Sequence, residues 1–177
     1  MSVVRLTPSH AAAYRALMLE ACALHPDAFT SSENERARLP LAWWEARVAE
    51  ESDAGEVVFG AFVEGHLAGV AGLTFERREK ARHKATLFGM YVPERYRQHG
   101  LGRKLVSAAL EHARMRPWTL VVQFTVTEGN ARAQSLYESC GFRPFGVEPC
   151  AVKVGETFVS KVHMWCRLQR QPQEDAA

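Results

Sequence analysis

The chain has 177 residues, 47% of them apolar and 24% charged, a globular composition long enough to bury one sizeable core without covalent staples. Lysine and arginine total 22 against 20 acidic residues, a formal charge of +2, too small to draw nucleic acid or an anionic membrane from a distance, so neither is expected as a partner and any anion recognition must be local. Cys22, Cys140, Cys150 and Cys166 show no C-x-x-C spacing and the histidines form no H-x-x-x-H pair, which leaves no metal site or disulfide framework; no stretch reads as a signal peptide or reaches the roughly 18 apolar residues that span a membrane, so a cytoplasmic location is expected.

Ser2 to Leu6 reads as a short strand, and Thr7-Pro8 supplies a capping hydroxyl and a proline suited to a first helical turn. In Ala11 to Leu24, Tyr14, Leu17, Met18, Ala21 and Leu24 recur at three- and four-residue steps, which predicts a helix with one buried face, ended by His25-Pro26. Asp27 to Pro40 is polar and reads as a loop; Leu41 to Glu51, with Trp43, Trp44 and Val48, reads as a second amphipathic helix. The period then changes: Val57 to Val63 is strand-like, Glu64-Gly65-His66 is a hairpin signal, and His66 to Phe75 returns beside it. The basic stretch from Glu76 to Lys84 reads as a solvated hairpin tip. A strand from Ala85 to Val92, a glycine-bearing turn, a helix from Leu101 to Met115, a strand from Trp118 to Thr127, a helix from Ala131 to Cys140 and two further strands complete the order. This succession predicts an α/β fold, a mixed sheet with helices on both faces, in a single domain over 1–168 followed by a polar C-terminal tail over 169–177.

The turn before the third long helix carries the first chemical signal. Gly100 and Gly102 let backbone N–H groups turn inward, and the helix that follows offers unpaired first-turn donors at the positive end of its dipole. Arg97, Arg103 and His99 add cationic donors, an arrangement suited to a pyrophosphate. The segment lacks the third glycine of G-x-G-x-x-G, and no G-x-x-x-x-G-K-[ST] is present, which weakens dinucleotide and P-loop readings. Asn130 to Phe142 then opens with an N-cap residue and ends at Gly141; Ala133, Leu136, Tyr137 and Cys140 share a face, which leans Tyr137 toward the sheet.

Here the chain resembles the GCN5-related N-acetyltransferases (GNAT). Arg97-Gln98-His99-Gly100-Leu101-Gly102 matches the family's [RQ]-x-x-G-x-[GA] loop, and Asn130 to Phe142 matches its N-x-x-A-x-x-L-Y-E-x-x-G-F helix, in the same order. The resemblance implies a mostly antiparallel central sheet with a splayed parallel strand pair, Ala85 to Val92 and Trp118 to Thr127, that holds acetyl-CoA as co-substrate without a metal. It implies that Arg97, Gln98, His99, Gly100, Leu101, Gly102 and Arg103 meet the pyrophosphate, that Met90, Tyr91 and Val92 pair with the pantetheine arm, and that Asn130 and Ala133 face the same arm. Tyr137 is implied as the catalytic acid, near the thioester sulfur, where a phenol can protonate the departing thiolate.

An amine with pKa near 10.4 must lose a proton before it attacks. Family members often carry a strand-borne glutamate, but here Thr125 stands in that place and Lys84 to Met90 offers no carboxylate. Glu76, His83, Glu128, His163 or a water relay remain open as substitutes. The resemblance places the acceptor pocket near Phe29 to Trp44 and Cys150 to His163, with Phe29, Trp43 and Trp44 as lining. The implied function is transfer of an acetyl group to a primary amine of a small molecule or peptide; the alternative is an acyl-CoA-binding regulatory or interaction module, which the vacant Thr125 position motivates. A nucleic-acid binder using Arg77 to Lys84 is the weakest reading. Exposed strand edges and the tryptophan-bearing helix leave a homodimer open.

Overall fold

The computed structural model describes residues 1–51 and 55–169; the expected tail lies, apart from Gln169, outside the described residues. Seven strands form one mixed sheet: β1 (Ser2–Arg5), β2 (Glu56–Val63), β3 (His66–Phe75), β4 (Lys84–Tyr91), β5 (Val121–Thr127), β6 (Arg143–Val154) and β7 (Thr157–Arg167), in the order β1-β2-β3-β4-β5-β7-β6. Every neighbouring pair is antiparallel except β4 and β5. The helices are α1 (Ala11–Leu24), α2 (Glu33–Ala37), α3 (Leu41–Arg47), α4 (Leu101–Met115) and α5 (Ala131–Glu138). None is long and apolar enough to cross a membrane.

The period-two alternation of β2 and β3 sorts their side chains onto two cores. Val57, Phe59, Ala61, Ala71, Leu73 and Phe75 face α4, whose Leu101, Leu105, Val106, Ala109, Leu110 and Ala113 are buried against them. Val58 and Val70 face the other way, toward Tyr14, Leu17, Met18 and Ala21 of α1 and Trp44 of α3. Both sheet faces are therefore covered, as the alternation of elements predicts. The Glu64-Gly65 turn closes the β2–β3 hairpin with both residues at positive φ, 50° and 81°, the geometry whose twist matches the strands it joins.

Several boundaries differ from expectation; β1 and β4 differ by single residues, as Ser2–Arg5 and Lys84–Tyr91. The polar loop contains α2, because Ser32 and Glu35 form a reciprocal cap on each other's backbone N–H. The second helix stops at Arg47 rather than Glu51. β5 starts at Val121 rather than Trp118, since Thr119 N–H closes a turn onto Arg116 O at 3.1 Å and Trp118 lies exposed with the Arg82 guanidinium 4.4 Å above its ring. α5 ends at Glu138, where Cys140 and Phe142 both donate N–H to Tyr137 O and Gly141 takes φ 92°.

The parallel pair is short. β4 and β5 are in register only at Lys84–Val121, Ala85–Val122 and Thr86–Gln123, although both strands continue well past that point. On its other side β4 carries one extra residue: Gly72 pairs with Phe88 but Val70 pairs with Tyr91, and Gly89 between them takes φ 59°. A bulge of this kind bends its own strand. β4 therefore stays with β3 and turns away from β5, and the two strands part as a fork.

An aromatic cluster closes the lower side of the fork. Phe142 is 1% exposed and packs edge-on against Phe124, centroids 4.9 Å apart, and 6.1 Å from Tyr137. Phe142→Ala is expected to cost roughly 3–5 kcal/mol of folding stability, the usual range for a fully buried phenylalanine; the urea midpoint of the variant against the parent measures it.

Candidate functional site

Two cavities adjoin in the fork. One, of about 400 Å³, runs past Met90, Tyr91 and Val92, the turn before α4 and the N-terminal turns of α5. The other, of about 480 Å³, opens toward α1 and α3 between the diverging strands. Ala28, Phe29, Met90, Asn130, Ala133 and Tyr137 line both, so the two spaces meet at Tyr137.

In the first cavity the chain turns through Gln98 and Gly100, both left-handed at φ 70° and 71°. A Cβ on Gly100 would meet nothing within 4 Å; backbone conformation, not room, is what favours glycine there. The turn leaves the N–H groups of Leu101, Gly102 and Arg103 without an acceptor among the described residues, the first helical bond being Lys104 N–H to Gly100 O at 3.1 Å. These donors stand at the positive end of a 15-residue helix, a ready site for phosphate oxygens. Gly102 has a different task. A Cβ there would come 2.9 Å from Leu136 Cδ2 and 3.2 Å from Met90 Cε, so its bare Cα lets α4 sit close on α5 and β4.

The cations divide. Arg103 lines the cavity with no ion-pair partner among the described residues, and so does Arg132. Arg97 also lines it, but its Nε donates to Val92 O at 2.9 Å and its Nη2 lies 3.3 Å from His25 Nε2, so its head group braces the loop. His99 lines neither cavity; its Nδ1 turns back to within 2.8 Å of Arg97 O. Asn130 caps α5, its Oδ1 accepting Ala133 N–H at 3.1 Å. Sequence reasoning missed Arg132, though its place in the first turn of α5, a motif already singled out, was a usable signal.

The wall common to both cavities is held by a buried lysine. Lys161 on β7 donates from Nζ to Asp27 O at 2.7 Å, Ala28 O at 3.1 Å and Thr127 Oγ1 at 2.9 Å, while Thr127 Oγ1 donates to Asp27 O at 3.0 Å. Burial pushes this ammonium below its ordinary pKa, against the opposing pull of Asp27. The clamp fixes the segment that carries Ala28 and Phe29, and nothing in the sequence pattern announced it.

Tyr137 is 6% exposed, its ring 4.1 Å from that of Phe124. Burial, with a smaller push from Cys140, raises its phenol above the usual value, so it holds its proton throughout the neutral range and can only donate it. Of Glu76, His83, Glu128 and His163, only His163 lines either of these two cavities. It stands opposite Thr125 in the β5–β7 pairing, with Nε2 2.9 Å from Glu148 Oε2. Glu76 is bonded by the side chain and N–H of Arg78 and by Arg77 N–H, which hold its carboxyl down to about 2. His83 O accepts Leu120 and Val121 N–H, below the fork, and Glu128 lies in the turn after β5. Of the expected acceptor lining, Phe29 and Trp44 face the second cavity, whereas Trp43 packs behind it, edge-on to Trp44 at 5.0 Å.

A family model described as the acetyltransferase (GNAT) family matches residues 18–142. Comparison with curated proteins gives no match. Among solved structures, an acetyltransferase of the GNAT family from Streptococcus pneumoniae is 24% identical, with TM-score 0.84 over 95% of this chain and 99% of its own. A ribosomal-protein-alanine N-acetyltransferase from Brucella melitensis is 25% identical, with TM-score 0.78 over 95% and 100%. A Salmonella typhimurium protein described as an acetyltransferase and solved with its cofactor acetyl-CoA is 24% identical, with TM-score 0.78 over 100% and 99%.

Gly100→Val places a β-branched residue at φ 71°. It is expected to lower stability by about 1–2 kcal/mol and, by re-aiming the N–H groups of residues 101–103, to weaken coenzyme A binding about tenfold or more while the fold persists. Titration calorimetry alongside circular dichroism separates the two effects.

Proposed function

The chain belongs to the GNAT acetyltransferase family, and from that premise we propose that it transfers an acetyl group directly from acetyl-CoA to a primary amine, with residues 1–168 acting as one catalytic domain. The observation that carries this reading is the junction of the two cavities at Tyr137: a donor slot and an acceptor space share one short wall, and a phenol that cannot ionise near neutrality lies in it.

The residues present fit coenzyme A. The N–H groups of Leu101, Gly102 and Arg103, unpaired at a helix N-terminus, suit the pyrophosphate, with Arg103 and Arg132 beside them. Beyond Thr86 the fork-facing backbone of β4 has lost its β5 partner, which suits the amide groups of the pantetheine arm at Met90 and Tyr91. Val92 O is already taken by Arg97. When bound, the donor supplies a thioester carbonyl to the junction.

The chain's own groups then handle the protons. His163, oriented by Glu148, accepts the proton that the amine must shed as its nitrogen bonds to the acetyl carbon. Tyr137 donates its proton to the sulfur as the C–S bond breaks, so free thiol leaves. The two groups line the acceptor cavity from different elements, α5 and β7, which keeps acid and base chemically separate. His163 thereby stands in for the carboxylate absent at Thr125, and its presence in the cavity counts against a module that only binds. The Brucella neighbour is named for a ribosomal-protein alanine, so an alanine-leading peptide belongs on the acceptor panel beside small amines.

Tyr137→Phe is expected to reduce kcat about a hundredfold or more and to leave the Kd for coenzyme A within about twofold, read by free-thiol release and calorimetry. His163→Gln should lower kcat with the same small effect on Kd. Because burial holds the phenol protonated above its ordinary value near 10, the parent's kcat should not decline between pH 8 and pH 10 on account of Tyr137; an alkaline fall within that range that disappears in Tyr137→Phe would contradict its role as the acid.

A further inference from the structure

The acceptor cavity has a lopsided charge. Its lining includes Arg36 and Arg47, and no aspartate or glutamate is among the lining residues. Arg47 is partly compensated: Nη2 lies 3.2 Å from Glu56 Oε2, and its guanidinium stacks 4.6 Å from the Trp43 ring centroid and 4.7 Å from that of Phe88. Arg36 is not compensated. It makes no ion pair among the described residues and rests on aromatic faces, 5.0 Å from the Trp43 centroid and 5.9 Å from that of Trp44. Its chain neighbour Glu35 is used elsewhere, as the reciprocal cap on Ser32 N–H at 2.7 Å. In the same wall Trp44 Nε1 and Arg47 Nε are buried without an acceptor. The charged side chains lining this side of the fork, Arg36 and Arg47, are both cations.

Resting on the acetyltransferase reading above, we propose that the acceptor is a small primary amine that also carries an oxyanion, a carboxylate or a phosphonate, held by Arg36 and Arg47 while its amine reaches the junction near His163 and Tyr137. Both guanidiniums lie against the Trp43 ring, and the planar guanidinium fork suits two-point recognition of an oxyanion. A cavity of about 480 Å³ is of small-molecule size. The same charges bear on the chemistry: cations nearby disfavour the ammonium and lower the amine's pKa, which lightens the work of an acceptor cavity whose lining holds a histidine and no carboxylate. A simple polyamine brings positive charge to a positive wall and is disfavoured.

The test compares kcat/KM, at saturating acetyl-CoA, for free α-amino acids, their carboxamides, aminophosphonic acids and an alanine-leading hexapeptide. Free acids or phosphonates should exceed the matching carboxamides at least tenfold, and whichever of the two anions leads identifies the source. Arg36→Gln should erase that preference through KM, with coenzyme A affinity unchanged, and Arg36→Lys should restore part of it. Carboxamides or the hexapeptide turned over as well as the free acids would overturn the proposal while leaving the transferase reading intact. Should no amine be acetylated, calorimetry of the coenzyme A-loaded protein with N-acetylamino acids and their amides decides: Arg36-dependent binding of the acids alone sustains the anion site and sinks the transferase reading, and equal or absent binding sinks the anion site. Arg36 is half-buried on a surface helix, so its variants should fold; Glu56→Gln, which frees Arg47 from its partner, supplies a second variant, expected to tighten the anion's KM.

Discussion

The site depends on a parallel ladder that stops. Two strands in one sheet gain by pairing along their whole length, yet β4 and β5 pair at three positions and then part. The bulge at Gly89 accounts for the divergence, because an extra residue against β3 forces β4 to bend, and the left-handed φ of 59° there is what glycine tolerates. Parting the strands sacrifices sheet hydrogen bonds and leaves main-chain groups unpaired beside a cavity. Such groups are costly when buried without partners, so the arrangement makes sense where a ligand supplies the missing partners.

Everything with chemistry borders that opening. α4 begins where β4 has bent away, which brings its unpaired first-turn N–H groups to one end. α5 is pressed against α4 by the bare Cα of Gly102, which brings Tyr137 to the middle. β7 pairs with β5 rather than β4, which carries His163 and Lys161 to the far wall. Lys161 then reaches across to the segment after α1 and ties it to β7 through main-chain carbonyls. An ammonium hydrogen-bonded only to neutral oxygens carries a desolvation cost that the Asp27 charge offsets in part, and what it holds in place, the Ala28 and Phe29 wall, belongs to both cavities.

Much of this was legible in the chain. Periodicity located α1, α4 and the β2–β3 hairpin, and the glycine turn together with Asn130 to Phe142 supplied residues that line one cavity, because those motifs encode local geometry: a left-handed turn, a cap, a buried face. What stayed hidden depends on distance. Thr125 marks a missing carboxylate, but only the β5–β7 register sets His163 opposite it. Arg36 reads as an ordinary surface charge until α2 folds it against Trp43 and Trp44. Arg97 and His99 look like phosphate ligands by composition; in the fold one braces Val92 and the other turns onto its own loop. Ser32 and Glu35 carried a capping box that the polar composition of their segment concealed.

The most direct measurement is an amide NMR titration with coenzyme A. Main-chain recognition at the fork predicts saturable shifts concentrated at the N–H groups of residues 98–103 and at Met90 and Tyr91, with the sheet edges at β1 and β6 unmoved. Saturation with the shifts gathered elsewhere, or an unchanged spectrum at millimolar ligand, would contradict the account.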